Sequence, residues 1–172
     1  MNAVIKNLIE RRSVRGYTKE LVPEKVLEEI LEAGKYAPSG MGCQGTMMAV
    51  TQNPELVSKL SRMNAAVMGV DSDPFYGAPT VIVVFSDSTK PTCVENGSLV
   101  MGNLMNAAHA LGVDSCWIHR AREVFESEEG CKMKKEWGIP EAYVGIGHCI
   151  LGYAAGEYPE AKPRKENFTV RV

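Results

Sequence analysis

The stretch Arg11-Arg12-Ser13-Val14-Arg15-Gly16-Tyr17 places three guanidinium groups and a hydroxyl within five residues. Guanidinium groups are planar paired donors that match phosphate oxygens, and a serine hydroxyl adds a short donor beside them. A second basic cluster, Lys162, Arg164 and Lys165, lies near the other end of the chain. Brought together, the two clusters would neutralise a doubly charged phosphate monoester. The plainer reading, solvated arginines and a basic tail, stays open at this point because charge clusters usually face water.

Upstream of this stretch, Val4, Ile5, Leu8 and Ile9 recur at helical spacing along one face. Downstream, a helix is expected from Pro23, with Val26, Leu27, Ile30 and Leu31 as its buried stripe, ending before Pro38. The segment Pro38-Ser39-Gly40-Met41-Gly42-Cys43-Gln44-Gly45 holds three glycines in eight residues, a composition that lets backbone approach a ligand or another chain. Thr46 to Thr51 reads as a strand. Asn53-Pro54 is a helix start leading to Leu56, Val57, Leu60 and Met63, and Asn64 to Ala78 has no clean period and is read as a mobile loop. Thr80 to Ser86 is a buried strand by its β-branched content. Cys93 to Leu111 reads as a long helix that is apolar or small on most sides, which predicts burial in a core or a subunit interface. A strand at Ser115 to Ile118, a surface helix at Ser127 to Trp137, a strand at Tyr143 to Leu151 and an extended tail from Lys162 complete the chain. The expectation is one α+β domain spanning 1–172.

Bulk properties narrow the partners. A net charge of −2 over 172 residues argues against a nucleic-acid or anionic-membrane partner for the whole surface. The N-terminus is too polar for a secretory signal, and no apolar run approaches the length of a membrane span. Five cysteines with irregular spacing and no C-x-x-C pair suit reduced thiols, so a cytoplasmic protein without a metal site is expected. The glycine segment lacks the G-x-x-x-x-G-K-[ST] pattern, and no G-x-G-x-x-G follows a strand, so a P-loop and a Rossmann dinucleotide site are not expected.

The order RRSVRGY, helix, APSGMGCQ, then NLMNAAHALGV, SCWIH, ILGY and KPRK resembles the FMN-dependent nitroreductase family along nearly the whole chain. The resemblance implies an α+β fold with a mainly antiparallel central sheet flanked by helices, and the long buried helix at a dimer interface. It implies an FMN-binding oxidoreductase that takes electrons from NAD(P)H and passes them by a ping-pong mechanism to a nitroaromatic, quinone or flavin. Arg11, Arg12, Ser13 and Arg15, with Lys162 and Arg164, take the positions that bind the FMN phosphate and ribityl chain. Arg15 also takes the position nearest the pyrimidine edge. Pro38, Ser39, Gly40, Met41 and Gln44 match the segment that lines the flavin from the neighbouring subunit of a homodimer. Trp117, Ile118 and His119 match the strand end beside the flavin, where a backbone N–H commonly faces N5. The chain departs from the family with Gly42 for the usual asparagine and Gly45-Thr46 for the usual Pro-Trp. His119 and Arg120 stand where an acid or glycine followed by glycine is common.

No side chain is required as a catalytic group, because the flavin carries the chemistry. His119 is a candidate proton donor, weighed against a role for its backbone alone. His109 is read as a packing histidine. His148 and Cys149, adjacent on a strand, face opposite ways and cannot form a dyad. Cys43 is read as either a redox-sensitive thiol or a small packing residue. Met41, Met47, Met48, Met63 and Met68 are read as either a flexible pocket or core packing. Alternatives to an NAD(P)H oxidoreductase are a flavin-binding redox-sensing module without steady turnover, a different FMN reaction such as reductive dehalogenation, and a phosphate-ligand binding protein without flavin.

Overall fold

The runs Thr46–Thr51 (β1) and Thr80–Asp87 (β2) become neighbouring antiparallel strands in a computed structural model that describes residues 1–172. Asp114–Ile118 (β3) and Tyr143–Gly152 (β4) complete one four-stranded sheet of order β1-β2-β4-β3, antiparallel at every pairing. All but the last residue of β2 are buried, as its continuous β-branched run requires of a strand covered on both faces.

Alternation along the strands splits the interior in two. Val81, Val83, Phe85, Ile118 and Ile150 point to one face, and Ile82, Val84, Cys149 and Leu151 to the other. The first face is covered by the helices Pro54–Met68 (α3), Ala121–Glu126 (α5) and Glu128–Glu136 (α6), through Val57, Leu60, Val124, Phe125 and Met133. Glu24–Lys35 (α2) and Cys93–Ala110 (α4) cover the second, through Leu27, Ile30, Val100, Met101 and Leu104. The two helices pack closely, and a Cβ on Gly34 would lie 2.9 Å from Leu104 Cδ2.

The N-terminal helix, Ala3–Glu10 (α1), sits against α4, where Asn7 Nδ2 donates to the Asn106 carbonyl at 2.9 Å. Its apolar face forms as the spacing predicts, yet within one chain nothing covers it: Val4, Ile5, Leu8 and Ile9 are each 48–65% exposed. The long helix α4 is likewise buried along one face only, with Val94 and Leu99 exposed on the other.

Several boundaries differ from the sequence expectation. Pro23 caps α2 rather than opening it. The segment read as a loop from Asn64 instead continues α3 to Met68, where Gly69 at φ 69° ends it. The polar Asn64 broke the apolar period, but it is buried and hydrogen-bonded, and Ala65 and Ala66 propagate the helix. Residues 70–79 are irregular but tied down: Asp73 accepts from Phe75 N–H (2.9 Å), Gly77 N–H (2.7 Å) and the Ser61 hydroxyl, and Phe75 is buried. The short helix α5 was not anticipated, because six residues give no period to read. Residues 157–172 are exposed throughout and leave the sheet, as expected of the tail.

Candidate functional site

The arginine stretch is tied by isolated bridges to the free edge of β3 and to the segment just after β4. Ser13 pairs in parallel with Ser115, and the Val14 N–H donates to the Ser115 carbonyl at 3.1 Å. Tyr17 bridges Ala154, and the Thr18 N–H reaches the Tyr153 carbonyl at 2.8 Å. Val14 and Tyr17 are the buried anchors, and the Tyr17 hydroxyl donates to the Val14 carbonyl at 2.9 Å. Burial pushes the Tyr17 phenol up, so it stays a neutral donor.

Arg11 and Arg15 converge on β3. Burial pushes the Cys116 thiol up, and the charges of Arg15 and Arg11 oppose that rise. Burial also raises the Cys149 thiol, to about 12, with Arg11 again opposing. Every ion pair in the chain uses a lysine, so neither arginine has a carboxylate partner. One guanidinium nitrogen of Arg11, Nη1, is buried with no hydrogen-bond partner. A buried, unmatched, charge-bearing donor is costly unless an acceptor arrives, and an anionic oxygen fits the need.

Arg12 turns elsewhere. Its Nη1 donates to the carbonyls of Ile9 (2.6 Å) and Arg11 (2.8 Å), so the guanidinium caps the end of α1, where the helix dipole favours a cation. The Arg12 N–H donates to the Tyr158 hydroxyl at 2.9 Å, and Tyr158 stacks on His109 with ring centroids 6.1 Å apart. His109 is thus a packing residue, as read from the sequence. Beyond Tyr158 the tail is exposed, and within one chain Lys162 and Arg164 make no contact with Arg11 or Arg15 through hydrogen bonds.

The glycine-rich segment lies at the opposite edge of the sheet, leading into β1. Three strand spacings separate the β1 and β3 edges, about 14 Å at the usual spacing. The segment is fixed to the start of α4: the Gly40 N–H donates to Asn96 Oδ1 at 2.9 Å, and a Cβ on Gly40 would fall 2.3 Å from Thr92 Oγ1. The Ser39 hydroxyl accepts from the Gln44 N–H at 3.1 Å. Met41, Gly42 and Gln44 take φ values of 52°, 63° and 49°, and Met41 is 93% exposed. Cys43 is half-buried and its Sγ accepts from Asn96 Nδ2 at 3.4 Å, a packing arrangement. The methionines form no common pocket, since Met47 and Met48 pack on opposite faces of the sheet.

At the end of β3, Trp117 lies against β4, where a Cβ on Gly147 would come within 2.3 Å of the indole Nε1. Ile118 is buried, His119 is exposed, and Arg120 takes φ 71° and ψ 15° as the cap of α5. Arg120 therefore holds a left-handed geometry that glycine adopts without strain. Beneath it, Asn64 Nδ2 donates to the His119 carbonyl at 2.7 Å and lies 3.5 Å from His148 Nδ1. His148 faces Phe75 and Phe125 while Cys149 faces the other core, which bears out their opposite orientation. Burial pushes the His148 imidazole down to about 4.

Asn64, His148 and Tyr158 were not singled out as site neighbours from the sequence. Asn64 and His148 stand 84 residues apart, and no local pattern links them. A separate cavity of 650 Å³, lined by Val57, Ser61, Ala65, Asp73, Phe75 and Pro79 among others, includes none of the residues expected at the site. No group of three His, Cys, Asp or Glu side chains is arranged to hold a metal, and no helix is long and apolar enough to cross a membrane.

The profile of the nitroreductase family matches residues 8–70 and 62–153. A nitroreductase from Bacteroides fragilis, solved with bound FMN, superposes with a TM-score of 0.92 at 28% identity, covering 100% of both chains. An FMN-bound nitroreductase from Desulfitobacterium hafniense gives 0.89 at 28% identity, again over 100% of both. An Archaeoglobus fulgidus relative named for NADH dehydrogenase/NAD(P)H nitroreductase is 31% identical over 163 residues, 91% of this chain and 88% of its own.

Proposed function

The chain belongs to the nitroreductase family, and from that premise we propose that it works as an FMN-dependent oxidoreductase passing electrons from NAD(P)H to an electron-poor small molecule. The observation that carries this reading is the pair Arg11 and Arg15 on the β3 edge, unpaired with carboxylates, one with a buried nitrogen awaiting an acceptor. A phosphate monoester supplies that acceptor and the compensating charge together. When bound, FMN supplies a two-electron relay between donor and acceptor, and the protein supplies position and electrostatics.

Arg11, Ser13 and Arg15 would hold the phosphate and ribityl end, and the backbone of Trp117 to His119 would border the ring. Arg12 serves this arrangement indirectly, by fixing the end of α1 from which Arg11 projects. Positive charge at Arg15 favours the electron-rich reduced cofactor. Donor and acceptor would use one exposed face in turn, a ping-pong order, with a nitroaromatic, quinone or free flavin as acceptor.

The working unit we propose is a homodimer of single-domain chains. The segment from Pro38 to Gln44 and the arginine edge lie on opposite sides of one sheet, so a second copy is needed for Pro38, Ser39, Gly40, Met41 and Gln44 to border the same cofactor. The uncovered apolar face of α1 and the exposed face of α4 offer the surface, and the tail carrying Lys162 and Arg164 is free to reach across.

The test is a visible absorbance spectrum of the purified protein, before and after anaerobic NADH or NADPH. Flavin bands that bleach support the reading. A protein that stays colourless even after added FMN refutes it.

A further inference from the structure

Two polar side chains, Asn64 from α3 and His148 from β4, are fully buried beneath the end of β3 in an otherwise apolar core. Burying such groups costs free energy unless they are matched, and the match is incomplete: Asn64 Oδ1 and His148 Nε2 have no partner. What Asn64 does satisfy is backbone: its Nδ2 donates to the His119 carbonyl at 2.7 Å, and the same nitrogen lies 3.5 Å from His148 Nδ1, so the imidazole backs the amide from behind. Phe75, with ring centroids 5.2 Å from His148, and Phe125 close the space around the imidazole.

That carbonyl begins the peptide linking His119 to Arg120. In a trans peptide the C=O and N–H point in opposite directions, and the chain contains no cis bond. Drawing the His119 carbonyl inward therefore turns the Arg120 N–H outward. Neither the His119 nor the Arg120 N–H has a hydrogen-bond partner within the chain. Arg120 stays in the left-handed region, which a residue with a side chain enters only when its surroundings impose it.

We propose that Asn64 and His148 are positioning residues: Asn64, backed by His148, holds the His119 carbonyl from below, which fixes the strained His119–Arg120 turn and aims the Arg120 N–H at the cofactor. This rests on the FMN reading above. Donors fixed toward atoms that become electron-rich on reduction stabilise the reduced state. Loosening them lowers the reduction potential while leaving the phosphate contacts of Arg11 and Arg15 untouched.

Asn64→Leu removes the donor at similar volume, and His148→Phe keeps a ring among Phe75 and Phe125. Leu60→Ala, one helical turn before Asn64 in α3, serves as a control that weakens the same core without touching His119. Two readouts apply. For the FMN-loaded proteins, the affinity ratio between reduced and oxidised FMN is expected to fall about tenfold in Asn64→Leu, a midpoint potential ~30 mV more negative for a two-electron couple. For the apoproteins, tryptic cleavage after Arg120 is expected to quicken about tenfold in Asn64→Leu and His148→Phe beyond the control, because local opening of the turn sets the rate. A potential that matches wild type or moves the other way overturns the proposal, and so does cleavage no faster than in Leu60→Ala. If wild type fails to bind FMN, the flavin reading itself falls. The proteolysis arm then still decides whether the pair holds the turn.

Discussion

Between pH 7 and 5, above the range where the lowered carboxylates Asp87 and Glu129 titrate, acidification should strike this protein chiefly through His148. Its imidazole is fully buried against Phe75 and Phe125, burial pushes it down to about 4, and no charged side chain contributes to the shift. In the unfolded chain the same group titrates near its ordinary 6.5. Between these values the unfolded state binds the proton and the folded state does not, so stability is full above about pH 6.5 and falls as the pH drops toward 4. The gap of about 2.5 pH units corresponds to roughly 3 kcal/mol at the acid limit. From pH 7 to pH 5 the same linkage gives a loss of about 2 kcal/mol, which for a chain of this size is a drop of roughly 4–8 °C in Tm. Denaturant unfolding of the apoprotein at the two pH values measures it, and His148→Phe supplies the comparison. The variant's absolute stability is immaterial, because only the change with pH is compared. Equal losses in wild type and His148→Phe would refute the reasoning.

The two neighbouring arginines should separate in their effects. Arg12 also buries a partnerless Nε, but its Nη1 is engaged at the end of α1, so Arg11→Ala, which removes the unmatched Nη1 donor, should raise the FMN dissociation constant by about 10- to 100-fold, the value of one or two charge-assisted bonds. Arg12→Ala should instead weaken the end of α1, lowering Tm by a few degrees with a smaller effect on FMN, as flavin titration and thermal melts of both variants would reveal. At the β3 end, Arg120→Gly should stabilise the apoprotein by about 1 kcal/mol, because glycine adopts φ 71° without the Cβ penalty. An unchanged or lower Tm would mean that the side chain of Arg120 offsets the strain.

The sequence carried the local grammar of the fold. Asn53-Pro54 starts α3 as its side chain and ring dictate, Ser127 caps α6 through the Gly130 N–H, and the β-branched run of β2 lies buried where it was expected. The family motifs located the arginine stretch and the end of β3. Elements failed where a tertiary contact outweighed the local pattern. Asn64 looked like a break in an apolar period because its partner, the His119 carbonyl, is 55 residues away. The helix α5 is too short for periodicity and depends on the αL turn at Arg120 and on Val124 and Phe125 finding the core.

The same division holds for the candidate site. Residue types and spacing alone showed a cluster of three arginines and a serine near the N-terminus, and the family resemblance gave it a phosphate-binding role as an expectation. Only the folded chain decided that Arg11 and Arg15 gather on the β3 edge while Arg12 turns back to cap α1. Only the order of the strands decided that the glycine-rich segment stands at the far edge of the sheet. Spacing along a chain reports periodicity and local hydrogen bonding over a few residues. Which distant groups meet depends on how two faces of one sheet are covered, a balance of burial and hydrogen bonding that no short window of sequence contains.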